Sequence, residues 1–159
     1  MQNLLASADT IAAHGAFYLN AGEGRIGMVD ARDVAEIAAK ILTDEPDRHQ
    51  AKIYTPTGPQ AVSSAQVAAQ LQEAIGTDVS YVAVPDDAAR HAMLDAGLSQ
   101  WLVGMLVDYG QAHSTGWSDH TTDDVEKLLD RQPRRFADFA RDHAAAFGVE
   151  AVDRAGTER

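Results

Sequence analysis

The stretch LNAGEGRIGMVDARDVAEIAAKIL, residues 19–42, contains a glycine loop followed by the clearest helical pattern of the chain. Gly22-Glu23-Gly24-Arg25-Ile26-Gly27 matches G-x-G-x-x-G, the spacing that cradles a dinucleotide pyrophosphate. In that motif the first glycine follows a buried strand and the third sits inside the next helix. Here Met28-Val29-Asp30 reads as extended, and the helix begins only near Arg32. The upstream strand Ala16–Leu19 is short and runs into polar Asn20. The acid expected about 20 residues further on falls in Asp44-Glu45-Pro46-Asp47, a loop rather than a strand end. The three glycines therefore read as a turn. Beyond them Val34, Ala35, Ile37, Ala38, Ile41 and Leu42 make a wide apolar stripe at 3.6-residue spacing, a helix. Asp30 and Asp33 stand at its start, where a carboxylate accepts backbone N–H bonds and complements the helix dipole. Both read as capping residues rather than a catalytic pair.

Working outward, residues 1–14 carry Leu4, Leu5, Ala8, Ile11 and Ala12 at helical spacing, and Gly15 is the natural stop. Residues 25–29 read as extended. Residues 52–57 read as a strand broken by Thr57-Gly58-Pro59. Ser63 and Gln66 form a capping box opening a helix that runs to Ile75, with Gly76 placed for a left-handed cap. Residues 79–85, VSYVAVP, alternate as a half-buried strand. From Asp86 onward four helices are expected. Ala89, Ala92, Met93 and Ala96 line the first. Leu98, Trp101, Leu102, Met105, Leu106 and Tyr109 line the second. Thr121 or Thr122 caps the third, which carries Val125, Leu128 and Leu129. Phe136, Phe139, Ala140, Ala144 and Phe147 line the fourth. Residues 149–159 form a polar tail expected to fray. The division is an α/β part at 1–84 and a helical part at 85–148.

The 159 residues suit one domain, and a hydrophobic content of 45% supports a packed core. A net charge of −11 and a pI near 4.7 argue against nucleic acid as a partner, because such binding needs a concentrated basic footprint. Arg131, Arg134 and Arg135 are the densest basic cluster and are flanked by acids. The absence of cysteine excludes disulfides and thiolate chemistry. No apolar run approaches a membrane span and no signal peptide opens the chain, so a cytoplasmic location is expected. The six histidines are scattered with no i,i+4 pair, so no metal site is expected. Ser63 and Ser64 lack the glycines of a nucleophile elbow. No catalytic residue is assigned. Trp101 and Met105 read as core, one end of which can wall a pocket.

Four stretches together resemble the NmrA-like family of atypical short-chain dehydrogenase/reductases, which includes type-2 NAD(P)H:quinone oxidoreductase-like enzymes. MQNLL is similar to the family's Phe-x-x-Asn segment. GEGRIGMVDARDVAEIAAKIL resembles its glycine turn, D-x-x-D-V/I-A and helix. KIYTPTGPQAVSSAQVAAQL resembles its Y-x-L-T-G-P-x-x-x-S strand–turn–helix, with Pro56 where leucine is usual. RQPRRFADFARDHAAAF resembles its closing G-R-x-P-x-x-F-x-x-F helix, with Asp130 where a glycine often precedes Arg131.

The resemblance implies an α/β fold: the C-terminal portion of an NAD(P)-binding Rossmann-like domain plus a mainly helical substrate subdomain. It implies that the phosphate loop precedes Met1, itself an internal methionine of a complete member. It places Gln2 and Asn3 near the nicotinamide of NAD(P) in a full-length parent, and Met93, Trp101 and Met105 around a small-molecule substrate. The chain alone is expected to bind no cofactor and to be inactive, with self-association through an incomplete sheet. A non-enzymatic redox-sensing regulator, or a protein-interaction module, is the alternative.

Overall fold

Short-range chemistry sets the first element boundaries. The structure, a computed structural model, describes residues 1–148, so the polar tail read at 149–159 lies outside the described residues. Residues Gln2–Ser7 form a 3-10 turn that leads into α1, Ala8–His14. Gly15 closes α1 with φ 61°, a left-handed conformation that glycine adopts without a Cβ penalty. β1 (Ala16–Leu19) follows, then β2 (Arg25–Ile26) and α2 (Ala31–Thr43). β3 (Val62–Ser63) leads into α3 (Ser64–Ile75), and β4 (Ser80–Ala83) into α4 (Asp86–Asp95). The chain continues through α5 (Gln100–Ser114), α6 (Asp124–Leu129) and α7 (Phe136–Asp142), and a 3-10 turn at Ala144–Phe147.

The capping box is present as the sequence predicts. Ser63 Oγ accepts from Gln66 N at 3.2 Å, and Gln66 Oε1 accepts from Ser63 N at 2.9 Å. Two otherwise orphaned donors are satisfied, so Ser63→Ala should cost about 1 kcal/mol of stability in a thermal or denaturant melt. Val67, Ala68, Leu71 and Ile75 form the buried face of α3. They pack with Ile11, Phe17, Val79, Phe136, Phe139 and Phe147 into the main core. A smaller cluster joins Ile37 of α2 to Val125 and Leu128 of α6.

β1 and β4 pair in parallel, with Phe17 opposite Tyr81 and Tyr18 opposite Val82. Phe17 and Tyr81 belong to the main core, whereas Tyr18 and Val82, one residue on, are exposed. β2 and β3 form a separate antiparallel pair. Among the described residues each sheet has two strands, so both outer edges of the parallel pair are unpaired. This mixed α/β arrangement, with a parallel pair and helices following it, agrees with the fold class expected from the sequence.

Three local expectations are corrected. Residues 52–57 form no strand. Their polar backbone is instead tied to the start of α6 and the loop before it. Thr55 N donates to Asp124 Oδ2 at 2.6 Å, and Thr122 Oγ1 donates to Thr55 O at 2.5 Å. Thr122 is thereby used for this segment and does not cap α6, whose N-cap position is Asp123. Finally, α5 buries Val103, Val107 and Gly110, not the Trp101–Tyr109 stripe. Both rows of that helix are apolar, and only tertiary packing chooses between them. On α4 only Ala89 is buried; Met93 is half-buried, while Ala92 and Ala96 are exposed. Among the described residues no helix is long and apolar enough to cross a membrane.

Candidate functional site

Gly22 and Gly24 lie in the turn that joins β1 to β2, Gly27 follows β2, and no helix begins before Ala31. Gly22 has φ 52°. A Cβ on Gly24 would overlap the backbone oxygen of His113, and one on Gly27 would overlap that of His120. These glycines let the loop lie against the end of α5 and the segment after it. Gly27 N donates to Ser118 O at 3.1 Å, and Ser118 Oγ donates to Arg25 O at 2.9 Å. The loop is a packed turn, as its sequence context predicts.

Phosphate recognition at a helix start needs free N–H groups and no competing anion. The Asp30 carboxylate accepts Arg32 N at 2.8 Å at the start of α2. Ser63 caps α3, Asp86 and Asp87 lie in the first turn of α4, and Ser99 Oγ accepts Leu102 N on α5. The starts of α2, α3, α4 and α5 therefore do not offer the free N–H groups that a dinucleotide pyrophosphate needs.

Asp30 and Asp33 are both fully buried but do different work. Burial works against the Asp30 charge. Hydrogen bonds from the Arg32 side chain and backbone and from Gln2 outweigh it, holding the carboxyl well below the usual range. Asp33, expected as a cap, points away from the helix start. Its carboxylate accepts Arg131 Nη2 at 2.8 Å, Arg134 N at 2.8 Å, and Arg134 Nη1. Glu36, one turn on, completes the cluster with Arg131 at 2.6 Å and Arg134 at 2.8 Å. Gln2 bridges Asp30 Oδ1 and Ala31 N, both at 2.9 Å, and Asn3 is exposed beside it.

At the carboxyl ends of the parallel strands, where open α/β sheets bind ligands, a polar clamp links three elements. Asn20 Nδ2 donates to Asp86 Oδ1 at 2.8 Å and to Val107 O at 3.0 Å. Gln111 Nε2 donates to Asp86 Oδ2 at 2.5 Å. These amides hold the Asp86 carboxyl below its ordinary pKa. A Cβ on Gly110 would overlap the Asn20 amide, so α5 can approach β1 only because residue 110 is glycine. The Asp44–His49–Tyr54 chain, with contacts of 3.2 and 2.9 Å, is a second cluster that sequence reasoning missed. Its five-residue spacings cross a turn and follow no helical or strand period.

The row of α5 read as core instead walls an open groove of about 660 Å³. Trp101 and Met105 lie along it with Tyr109, and Trp117 from the following loop joins them. Trp101 and Trp117 are 76% and 62% exposed. Met93 is not brought to this groove. Behind the aromatic cluster His113 Nδ1 lies 2.7 Å from Ser118 Oγ. The serine's single proton goes to Arg25 O, so Nδ1 carries the imidazole proton and Nε2 is the acceptor. Burial lowers the His113 pKa and favours this neutral form.

No protein-family model matches the chain. It is 41% identical over 149 residues to the NAD(P)H azoreductase of Xenophilus azovorans, covering 94% of this chain and 51% of that protein. The curated proteins it matches are reductases, oxidoreductases and dehydrogenases. An NADPH-dependent quinone oxidoreductase from Escherichia coli superimposes with a TM-score of 0.78 at 29% identity, over 87% of this chain and 50% of that one. The Citrobacter triphenylmethane reductase, solved with NADP(H), gives 0.73 at 26% identity over 90% and 48%. The chain spans about half the length of the relatives it matches.

Proposed function

We propose that this chain is the C-terminal, substrate-side half of an NAD(P)H-dependent oxidoreductase of the NmrA-like type, and that it is inactive alone. One observation carries the reading: nearly the whole chain aligns with only half of an NAD(P)H azoreductase. In the parent, the other half supplies the phosphate loop. Asn3, exposed, and Gln2 stand near the nicotinamide end of the cofactor. The helical part, with Trp101 and Met105 on α5 and Met93 on α4, faces a small-molecule substrate. The chain binds neither nucleic acid nor membrane in this reading and acts in the cytoplasm.

Calorimetric titration of the chain with NADH and with NADPH should give no saturable heat. Low-micromolar saturable binding of either would overturn the reading. A second consequence concerns assembly. Parallel sheets are normally flanked by neighbours and covered on both faces. Here Tyr18, Leu19 and Val82 are exposed on a two-stranded pair, and Ile53 is 92% exposed. Unpaired edges beside apolar surface favour self-association. Size-exclusion with light scattering should show a dimer or larger species. A monomer that binds no apolar dye and melts in one sharp transition would show that these residues close their own core, and the half-domain reading would fall.

A further inference from the structure

From the α5 groove we infer that the chain carries a binding site for a flat, positively charged aromatic molecule of two or three rings, selected by Asp108. The inference rests on the substrate-side reading of the helical part, but it concerns binding alone.

Two neighbouring rows of α5 build the site. Trp101, Met105 and Tyr109, four residues apart, form a ridge of aromatic and thioether surface. Gly104, Asp108 and Ala112, also four apart, form a low furrow beside it. A Cβ on Gly104 would meet nothing within 4 Å, so the furrow floor is open at that end. Trp117 sits edge-on to Tyr109, with ring centroids 6.2 Å apart, and stands over the other end. Eight residues of helix span about 12 Å, the length of two or three fused rings and too short for an extended protein surface. The volume also falls within the range of small-molecule sites.

The chemistry of the lining specifies the charge. Asp108 is the one charged side chain in the groove, and it makes no ion pair among the described residues. Indole and phenol faces attract cations through their quadrupole, and Met sulfur packs against aromatic edges. A net charge of −11 concentrates cations around the chain as a whole. An anionic arene of the same shape would meet Asp108 and that field unfavourably. Exposing two tryptophans to water is costly unless something covers them, and a stacked cationic arene does so.

The test uses a convenience of the sequence: the chain's two tryptophans, Trp101 and Trp117, both line the groove, so intrinsic fluorescence reports on it directly. The chain is titrated without dinucleotide against methylene blue, a planar tricyclic cation, and against anthraquinone-2-sulfonate, a planar tricyclic anion. Absorbance-corrected quenching is paired with calorimetry for stoichiometry. The expected result is saturable one-to-one binding of the cation, at least several-fold tighter than the anion. Asp108→Asn should weaken the cation about two- to fivefold and leave the anion unchanged or tighter. Trp117→Leu, checked for an unchanged melt, should remove most of the affinity. If Trp117→Leu melts early, Gly104→Leu, which fills the furrow on an exposed helix face, serves in its place. Equal affinity for both dyes, indifference to Asp108→Asn, or several dyes per chain unaffected by Trp117→Leu would each overturn the inference. Because no dinucleotide is present, a failed cofactor prediction and a failed groove prediction are read separately.

Discussion

Asp33→Ala should be the most damaging single carboxylate removal in the described chain, costing about 3 kcal/mol. Breaking a buried ion pair by deleting one partner typically costs 3–5 kcal/mol, because the survivor is left without its counter-charge. Arg131 and Arg134 remain about one-third exposed, so water relieves part of that penalty, and Glu36 still holds both guanidiniums. Against this, the Arg134 backbone N–H loses its acceptor, and an unmet buried donor costs about 1–3 kcal/mol. For a chain of this size about 3 kcal/mol lowers the melting temperature by roughly 6–12 °C. Asp33→Asn separates this role from capping. Asparagine caps a helix as well as aspartate does, so a capping role predicts near-complete recovery. A buried counter-charge for two arginines predicts that Asn recovers less than half. Thermal melts of the two variants decide, and a fully restored Asn variant would return Asp33 to the helix start.

The contrast between Asp30 and Asp33 shows what was legible in the sequence and what was not. Asp30 acts over two residues, on Arg32 N, and such local chemistry is visible in the order of residue types. The same holds for the Ser63–Gln66 box and for the left-handed glycines at 15 and 76. Asp33 meets Arg131 and Arg134 across about a hundred residues, and nothing in the spacing announces a partner so distant. Helix α5 fails for another reason. Its hydrophobic residues fill both the Val103–Val107–Gly110 row and the Trp101–Met105–Tyr109 row. Periodicity then finds the helix but cannot orient it. The orientation comes from the Asn20 clamp, which requires a residue without Cβ at position 110. Residues 52–57 have strand-forming composition, but a strand exists only when a neighbour supplies the ladder. Here Thr122 of the loop before α6 and Asp124 at its start take the backbone groups of Thr55. The family resemblance raised an expectation that the residues alone did not, of a chain answering to half of a longer fold, and the chain spans about half the length of the relatives it matches.

The glycine loop supplies the last prediction: Gly24→Ala should cost about 3 kcal/mol, whereas Gly76→Ala should cost about 1 kcal/mol. The second is strain alone. Gly76 has φ 75°, a conformation that costs an ordinary residue roughly 1–2 kcal/mol, and an added Cβ meets nothing within 4 Å. Gly24 has the opposite problem. Its backbone is not left-handed, but its Cβ would overlap the His113 carbonyl oxygen, a backbone atom at the end of α5. No rotamer change can relieve that overlap. The loop must move away from α5, and overpacking of this kind costs about 1–3 kcal/mol, occasionally more. Moving it also strains the Gly27 N to Ser118 O bond and the Ser118 Oγ to Arg25 O bond. Trp117 adjoins Ser118 in sequence, so its environment shifts as well. Gly24→Ala should therefore lower the melting temperature by roughly 6–12 °C and change the tryptophan emission, while Gly76→Ala leaves the emission untouched. A phosphate-cradling loop would behave the other way, losing a ligand while sparing stability. A Gly24→Ala chain that melts like the parent would show that the loop is not packed against α5, and would reopen the dinucleotide reading of Gly22, Gly24 and Gly27.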